Sequence, residues 1–593
     1  MAHEEAPAAR PHIVHIAREC AGISAAGGVG DVVLQLSLAC RSAGFDCTVI
    51  LPHYGPFEAD GLKDLTVTAA ALLGVEASQA SLPQSLIANI PMSYSSLQWR
   101  TERVQVEAVR FRGPATFTIA VVVAERFSGK RLPYTYTAEE ARAIATSSLP
   151  DQKVCGAEPP PPDFRPTEGS GHFDYFAMNV LLQKASIAWI ERLEGPIVVH
   201  CHDAHTAMLP MMARTQLSPG DRRFIVTAHN CGAAYRQRCP DLDFVAAVGN
   251  LPRDAVQRCV IRGEFDPFAA AALHADQLNT VSPGYAWEVR TACRPNSGGD
   301  SDVQGLSAFL DEHSVRLTGI TNGIDPALKG PEAIRAEIRP GRKRLSAFGW
   351  KREFRQRFAD AISGDDLTDK WGLSPAKRLG SLAGLATSHC LFTVVGRWTA
   401  QKGIDIAVRA AEEIFDASPK AALCVLGDGS EPSILAALRR LAEEHDGRAV
   451  AIAGFSPELA SSIYAAGDFF LVPSRFEPCG LVDMIAQLNG NLPIVNQVGG
   501  LAKVIDGMTG LGYFASNDRA NLRGLVAAMH RALDLAKDPP KLRRMRRAAD
   551  LHVRSKYGWG TVLQEYARLY GLAACCAQGP SARPVTGSPE PMQ

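Results

Sequence analysis

Arg397, Lys402 and Glu477 set two cations and an acid in loops that follow apolar runs. Arg397 and Lys402 lie in Arg397-Trp398-Thr399-Ala400-Gln401-Lys402-Gly403, between an apolar run, Leu391 to Gly396, and a helix predicted from Ile404. Two cations beside a helix N-terminus make an anion site of the kind a diphosphate needs; two surface cations on a loop are the plainer alternative. Glu477 lies in Ser474-Arg475-Phe476-Glu477-Pro478-Cys479-Gly480, after the apolar run Asp468 to Val472 and before a helix predicted from about Leu481 to Leu488. Pro493-Ile494-Val495 reads as the next strand, and Gly499-Gly500 opens the next helix. In open α/β sheets ligands collect at the carboxyl ends of strands, so Arg475, Glu477 and the Gly480 and Gly500 amides are expected to point at one place. A lone Glu477 would read as a solvated surface acid. A guanidinium, a carboxylate, a thiol and two glycine turns on one strand edge argue instead for a site.

The first half carries a second set. The strand His12 to Ala17 is followed by the glycine-rich loop Gly22 to Asp31, a helix Asp31 to Ser42 and a strand Cys47 to Pro52. That order opens a Rossmann-like unit, and the loop serves either tight packing or a phosphate or sugar. Pro196 to His200 is a buried strand running into Cys201-His202-Asp203-Ala204-His205. His200, His202 and His205 invite a metal reading, but no second ligand cluster with matching spacing accompanies them, so no metal is assigned. A non-metal role for His202 and Asp203 at the strand end is preferred. Phe224 to Asn230, Gln277 to Ser282 and Leu317 to Asp325 repeat the pattern of strand then polar residues, marking one rim of a cleft with His229 and Asn230 on it. Asp241-Leu242-Asp243 resembles a metal–nucleotide DxD, yet follows Pro240 in a turn-like segment and reads as a solvated turn.

These residues need elements to position them. A chain of 593 residues is too long for one core. Net charge zero excludes a dedicated nucleic-acid binder, which needs a basic excess. Fourteen cysteines without a CxxC pair, several inside apolar runs (Cys47, Cys201, Cys424), suggest a reducing cytosol. The N-terminus is acidic and polar rather than a signal peptide, and no apolar run reaches the roughly 20 residues of a membrane helix. A cytoplasmic protein is expected. Residues 1–11 and 573–593 read as disordered tails. The first Rossmann-like domain spans 12–326, with strands at Val104–Val109 and Phe117–Val122, a mobile flap near 147–172 and a helix Phe173–Leu193. A charged helical segment, 327–385, leads to a second such domain, 386–546. Its strands alternate with helices, so its sheet is parallel. Residues 540–572 read as a basic, then aromatic helix, whose part from 547 is expected to pack back on the first domain.

With these motifs in place the chain resembles the bacterial glycogen synthase and plant starch synthase family, from about His12 to Leu572. The matching elements are Gly27-Gly28-Val29-Gly30-Asp31, His202-Asp203, His229-Asn230, Val281-Ser282-Pro283 with Tyr285-Ala286, and Asn322-Gly323-Ile324-Asp325. Gly396-Arg397 with Gln401-Lys402-Gly403, Ser474 to Leu481, Gly499-Gly500-Leu501 and Tyr557 with Trp559 complete them. The resemblance implies the GT-B architecture, two Rossmann-like domains with parallel sheets facing a central cleft. It implies retaining transfer of glucose from a nucleotide sugar, usually ADP-glucose, to an α-glucan end, with no cofactor and no metal. Arg397 and Lys402 would hold the diphosphate, Glu477 would bond sugar hydroxyls, and the His202 carbonyl would face a cationic transition state. The Gly27 and Gly28 amides would approach the phosphates, and those of Gly480 and Gly500 would fix donor oxygens. Asp31, Asp203, His229, Asn230, Cys479, Leu481 and Gly499 would complete the substrate contacts.

There are departures. The family lysine two residues before the glycine pair is Ala25 here, a loss of about ten- to a hundredfold in donor binding if nothing replaces one charge-assisted contact. Val482-Asp483 stands for Thr-Gln, Ile485 for Tyr, and Asn496-Gln497 for Arg-Arg. Met178 stands for an acid and Ala269 for a lysine. A different nucleotide sugar or acceptor, or a non-catalytic glucan-binding relative, are the alternatives these changes raise.

Overall fold

The computed structural model describes residues 10–58, 60–81, 84–93, 99–146, 166–292, 301–332, 350–364, 377–386, 389–429, 431–454 and 456–572, with the single positions 334, 348, 371, 373 and 374. The predicted tails at 1–9 and 573–593 and the flap at 147–165 lie outside them. The chain divides into two compact units: Met1–Val226 with Gln237–Gln277 and Leu563–Gln593, and Thr227–Arg236 with Leu278–Val562.

In the first unit the strands are β1 (His12–Ile16), β2 (Cys47–Pro52), β3 (Gln84–Ser93), β4 (Trp99–Phe111), β5 (Phe117–Ala124), β6 (Ile197–His202) and β7 (Arg222–Ala228), with a small hairpin β8 (Val260–Ile261) and β9 (Glu264–Phe265). They lie in the order β7-β6-β1-β2-β5-β4-β3. Pairs β1/β2, β1/β6 and β2/β5 are parallel, and the run β5-β4-β3 is antiparallel. Strands β1, β2 and β6 are buried almost throughout because helices cover both faces, so they read as continuous apolar runs. The chain passes from β1 to β2 on one side and returns to β6 on the other, so the crevice of this sheet opens at the ends of β1 and β6. Helix α1 (Gly28–Ser42) starts three residues before the predicted Asp31, and α2 (Tyr175–Ile190) is buried on nearly every side. The end of the predicted flap belongs to the fold: Gly171 bridges Thr135, and His172 is buried.

The second unit holds the parallel pair β10 (Gln277–Thr280) and β11 (Leu317–Gly319), and α3 (Pro283–Thr291) between them. Helix α4 (Lys351–Ser363) packs its Phe354 and Phe358 with Trp371. The second sheet consists of β12 (Arg378–Gly380), β13 (Cys390–Val395), β14 (Ala421–Gly427), β15 (Ala449–Ala453), β16 (Phe469–Val472), β17 (Leu492–Asn496) and β18 (Leu511–Tyr513). Its order is β12-β15-β14-β13-β16-β17-β18, parallel except for β12. Helices α5 (Ile404–Ala417), α6 (Leu481–Leu488), α7 (Asp518–Ala536) and α8 (Pro539–Lys556) surround it. The chain fills one side of β13 with β14 and β15, then crosses to β16 on the other side. The switch point therefore lies between β13 and β16, whose following loops carry Arg397, Lys402 and Glu477.

The single terminal helix read from the sequence is two: α8 stops at Lys556, and α9 (Trp559–Leu569) starts anew. The break is bonded, because the Tyr557 carbonyl accepts from the Ile324 N–H at 2.8 Å.

Candidate functional site

At the switch point of the second sheet, the Lys402 Nζ donates to both oxygens of Glu477, at 3.0 and 2.8 Å. The Ser474 hydroxyl donates to the same carboxylate at 3.1 Å. Glu477 is buried, with 9% of its side chain exposed against 23% for Lys402. Gly403 explains how the two loops meet. Its φ of +69° is left-handed, and a side chain there would run into the Pro473 carbonyl. Glycine thus lets the loop after β13 lie against the loop after β16. Arg475 N–H donating to the Gln401 carbonyl at 2.9 Å joins them further. Arg397 is exposed and donates to the Tyr235 hydroxyl at 3.3 Å.

Arg475 does not share this place with Glu477, contrary to the sequence expectation. Its guanidinium turns to Asp405, at 2.9 and 2.7 Å, and Asp518, at 2.7 and 2.9 Å. Those hydrogen bonds push its pKa up, and the residue is a clamp between α5 and α7. The Gly500 amide is also occupied: it donates to the Glu477 carbonyl at 2.8 Å. The neighbouring Gly499 N–H donates to the Glu288 carboxylate on α3 at 2.6 Å. Both glycines hold the turn against the Glu477 loop rather than offering amides outward. Gly480 is the left-handed N-cap of α6, with Leu481 the first helical residue. Burial pushes the Cys479 thiol up to about 11, so it stays protonated and serves packing, not nucleophilic attack.

In the first unit, the loop after β1 brings Glu19 under the glycine turn. Its Oε2 accepts from the Ala26 and Gly27 amides, at 2.6 and 2.9 Å, and its Oε1 from the Tyr134 hydroxyl at 2.9 Å. The Gly27 amide is therefore taken by a carboxylate, a correction to its expected phosphate role. Helix α1 begins at Gly28 with Gly27 as its N-cap, no side chain bonded to the first-turn amides as a cap, and Asp31 in that turn. Sequence reading missed Glu19; a carboxylate three residues past β1, before a glycine loop, was the available signal.

Beside it, His15 Nδ1 and His202 Nε2 are 3.1 Å apart, and His200 stacks on His202 at 4.2 Å. The register of β1 and β6 sets His15 opposite His200. His205, weighed as a third ligand from the sequence, instead lies against Tyr134. Among the described residues the ring nitrogens of His15, His200 and His202 all fall within 4.8 Å of one another, a group of ligand type. The facing nitrogens of His15 and His202 are in hydrogen-bond contact, which a shared metal would have to replace, so no metal is assigned. Burial lowers the His15 pKa to about 3, so it is neutral and hydrogen-bonded. The His202 carbonyl accepts from the Thr206 hydroxyl at 2.8 Å. Asp203 is buried with φ +64°, a strained conformation for a non-glycine residue at a strand end.

His229 and Asn230 follow β7 directly, at the start of its loop. Burial lowers His229 to about 3, and Asn230 Oδ1 accepts from the Gly232 amide at 2.9 Å. Asp241 of the DxD caps the helix Leu242–Gly249 through the Phe244 N–H, and Asp243 pairs with Arg253, so this motif is structural.

Residues 12–144 and 164–304 match the starch synthase catalytic domain, and residues 389–534 match the glycosyl transferases group 1 domain. A glycogen synthase of Paracidovorax citrulli is 33% identical over 404 residues, 66% of this chain and 71% of that protein. The chain belongs to the glycogen and starch synthase family. A glycogen synthase of Gloeobacter violaceus is 27% identical over 566 residues, 94% of this chain and 98% of its own. The catalytic domain of starch synthase IV from Arabidopsis thaliana, solved bound to ADP and acarbose, has a TM-score of 0.67 at 22% identity, covering 95% of this chain and 99% of that one. That likeness gives the fold, GT-B, with two Rossmann-like domains. Three departures of this synthase-family chain lie near the Glu477 loop in the second unit. Val482 and Ile485 lie on α6, and Asn496 ends β17, where its side chain donates to the Ser474 carbonyl at 3.0 Å and accepts from the Ala515 amide at 3.0 Å. Asn496 therefore supports the Glu477 loop from below instead of presenting a cation.

Proposed function

We propose that this family member transfers glucose, with retention, from a nucleotide sugar to the non-reducing end of an α-1,4-glucan, and that ADP-glucose is the donor. The observation that carries the reading is the Lys402–Glu477 pair at the switch point of the second sheet. Arg397 and Lys402 hold the diphosphate and neutralise the charge that grows on the leaving oxygen. Glu477, aimed by Lys402 and Ser474, accepts from sugar hydroxyls. The His202 carbonyl, which accepts from the Thr206 hydroxyl, faces the cationic sugar in this scheme. Gly28 and the α1 N-terminus, rather than Gly27, meet phosphate, while Asp31, Asp203, His229 and Asn230 shape the sugar side. Two cations and helix N-termini carry the diphosphate in this scheme, so it uses no metal. Buried free thiols such as Cys47, Cys201 and Cys424 support a cytoplasmic location, and among the described residues no helix is long and apolar enough to cross a membrane.

A donor screen tests the proposal. The protein is incubated with ADP-glucose, UDP-glucose and other nucleotide sugars, with and without a glucan primer, and released nucleoside diphosphate is measured. Primer-dependent turnover with ADP-glucose is expected. Turnover only with another donor would assign Ala25, Val482 and Ile485 to a changed donor site, and no turnover with any would overturn the reading.

A further inference from the structure

The turn after β17 and the loop after β16 are joined by one side chain. Lys503 Nζ lies 2.6 Å from the Cys479 carbonyl, 2.7 Å from the Gly480 carbonyl and 3.0 Å from the Gly500 carbonyl. It also lies 2.8 Å from Asp483 Oδ1. Four oxygens share three N–H groups, so the three carbonyls are held together by one buried ammonium and the carboxylate supplies its counter-charge. Lys503 keeps 6% of its side chain exposed and Asp483 none, so water does not take over these bonds. Asp483 is itself held on α6, where Gln487 Nε2 donates to its Oδ2 at 3.3 Å.

The position matters because of what the three carbonyls belong to. Cys479 and Gly480 lead into α6, and Gly500 is the residue whose N–H donates to the Glu477 carbonyl. A side chain at 500 would collide with the Cys479 backbone, so the two segments are in direct backbone contact. Carbonyls brought this close repel one another unless a cation lies among them. Asp483 is one of the departures from the family pattern, and here it has a dedicated partner.

We propose that Lys503, with Asp483 as its counter-ion, is a positioning residue of the donor pocket: by gathering the carbonyls of Cys479, Gly480 and Gly500 it sets the distance between the α6 N-terminus and the turn that backs Glu477. The inference rests on the transferase reading above. Lys503 acts indirectly, through the two backbone segments that hold the Glu477 loop in place.

The test compares Lys503→Met, Asp483→Asn and the double variant with wild type, reading kcat, donor KM, acceptor KM, nucleoside diphosphate binding by calorimetry, and the urea midpoint. Lys503→Met is expected to raise donor KM and weaken nucleoside diphosphate binding about tenfold or more, since misplacement of order 1 Å costs that much, while acceptor KM moves less than about twofold. It also leaves Asp483 buried without a counter-charge, so the urea midpoint falls. In the double variant the stranded charge is gone, so the midpoint recovers while donor KM stays high. Recovery of both together would make Lys503 merely structural and overturn the inference, as would a Lys503→Met variant with wild-type donor KM. If the wild-type chain neither turns over nor binds any nucleoside diphosphate, the transferase reading fails first and this one with it.

Discussion

Replacing Lys402 by Met and Glu477 by Gln should separate stability from catalysis in an unequal way. Glu477 has 9% of its side chain exposed, Lys402 23%. Removing the lysine strands a nearly buried carboxylate with the Ser474 hydroxyl as its remaining side-chain donor. Breaking a buried pair from one side costs about 3–5 kcal/mol, and the partial exposure of Lys402 brings this to roughly 2–3. Removing the charge from Glu477 leaves a more exposed ammonium that water can solvate, at about 1 kcal/mol or less. The double variant, with neither charge, should recover most of the Lys402→Met loss. Activity follows a different order. Each single variant removes a group that meets donor charge or sugar hydroxyls, so each should lose about 10²–10³ in kcat, and the double should not recover. Denaturant midpoints and primed nucleoside diphosphate release read the two effects separately. Near wild-type turnover in Lys402→Met would refute the assignment of the pair to catalysis. Equal destabilisation by both singles would refute the burial argument.

Other outcomes follow from the same geometry. Arg475→Ala should lower the second unit's denaturant midpoint by cutting the α5–α7 clamp while leaving kcat within about threefold, the ordinary range for a surface-linked ion network; a larger fall in kcat at unchanged stability would return Arg475 to the site. Glu19→Ala should leave the Ala26 and Gly27 amides unanswered and raise donor KM about tenfold, as expected for the loss of a charged hydrogen-bond acceptor, and an unchanged KM would show that the loop holds itself. His229 has a folded pKa of about 3 against an ordinary 6.5, because burial opposes its charge. The unfolded chain thus binds the extra proton first, so this contribution is complete above about pH 6.5 and is lost as pH falls toward 3, by at most about 4–5 kcal/mol. His229→Asn should flatten that part of the stability–pH curve, and identical slopes would contradict a neutral buried His229.

The second sheet was the most legible part of the chain. Short apolar runs bounded by glycine and charged turns gave β13, β16 and β17, and the α6 bounds fell where the hydrophobic pattern put them. Strand β3 escaped because it alternates exposed and half-buried residues at a sheet edge and contains Pro91. Helix α1 began earlier than predicted because its opening glycines are poor helix formers, and the carboxylate that ties down the turn before them lies nine residues upstream of Gly28. Side-chain direction was the larger blind spot. Spacing placed Arg475 two residues from Glu477 but could not show that Asp405 and Asp518 would draw it away. Nor could it show that His15, from another strand, would meet His202. The Lys402–Glu477 contact joins residues 75 apart and needed the strand order to bring them together.

The turns that surround Glu477 are gripped from far upstream. Ser282 donates to the Pro478 carbonyl and Glu288 accepts from Gly499, spans of 196 and 211 residues. At a synthesis rate of about 5–20 residues per second, α3 leaves the ribosome roughly 10–40 s before the segment it must hold. During that interval the buried faces of Tyr285 and Glu288 have no partner from the second sheet. The nascent chain is therefore expected to bind holdase chaperones through 278–292 until residue 500 has emerged, and to become protease-resistant only after that.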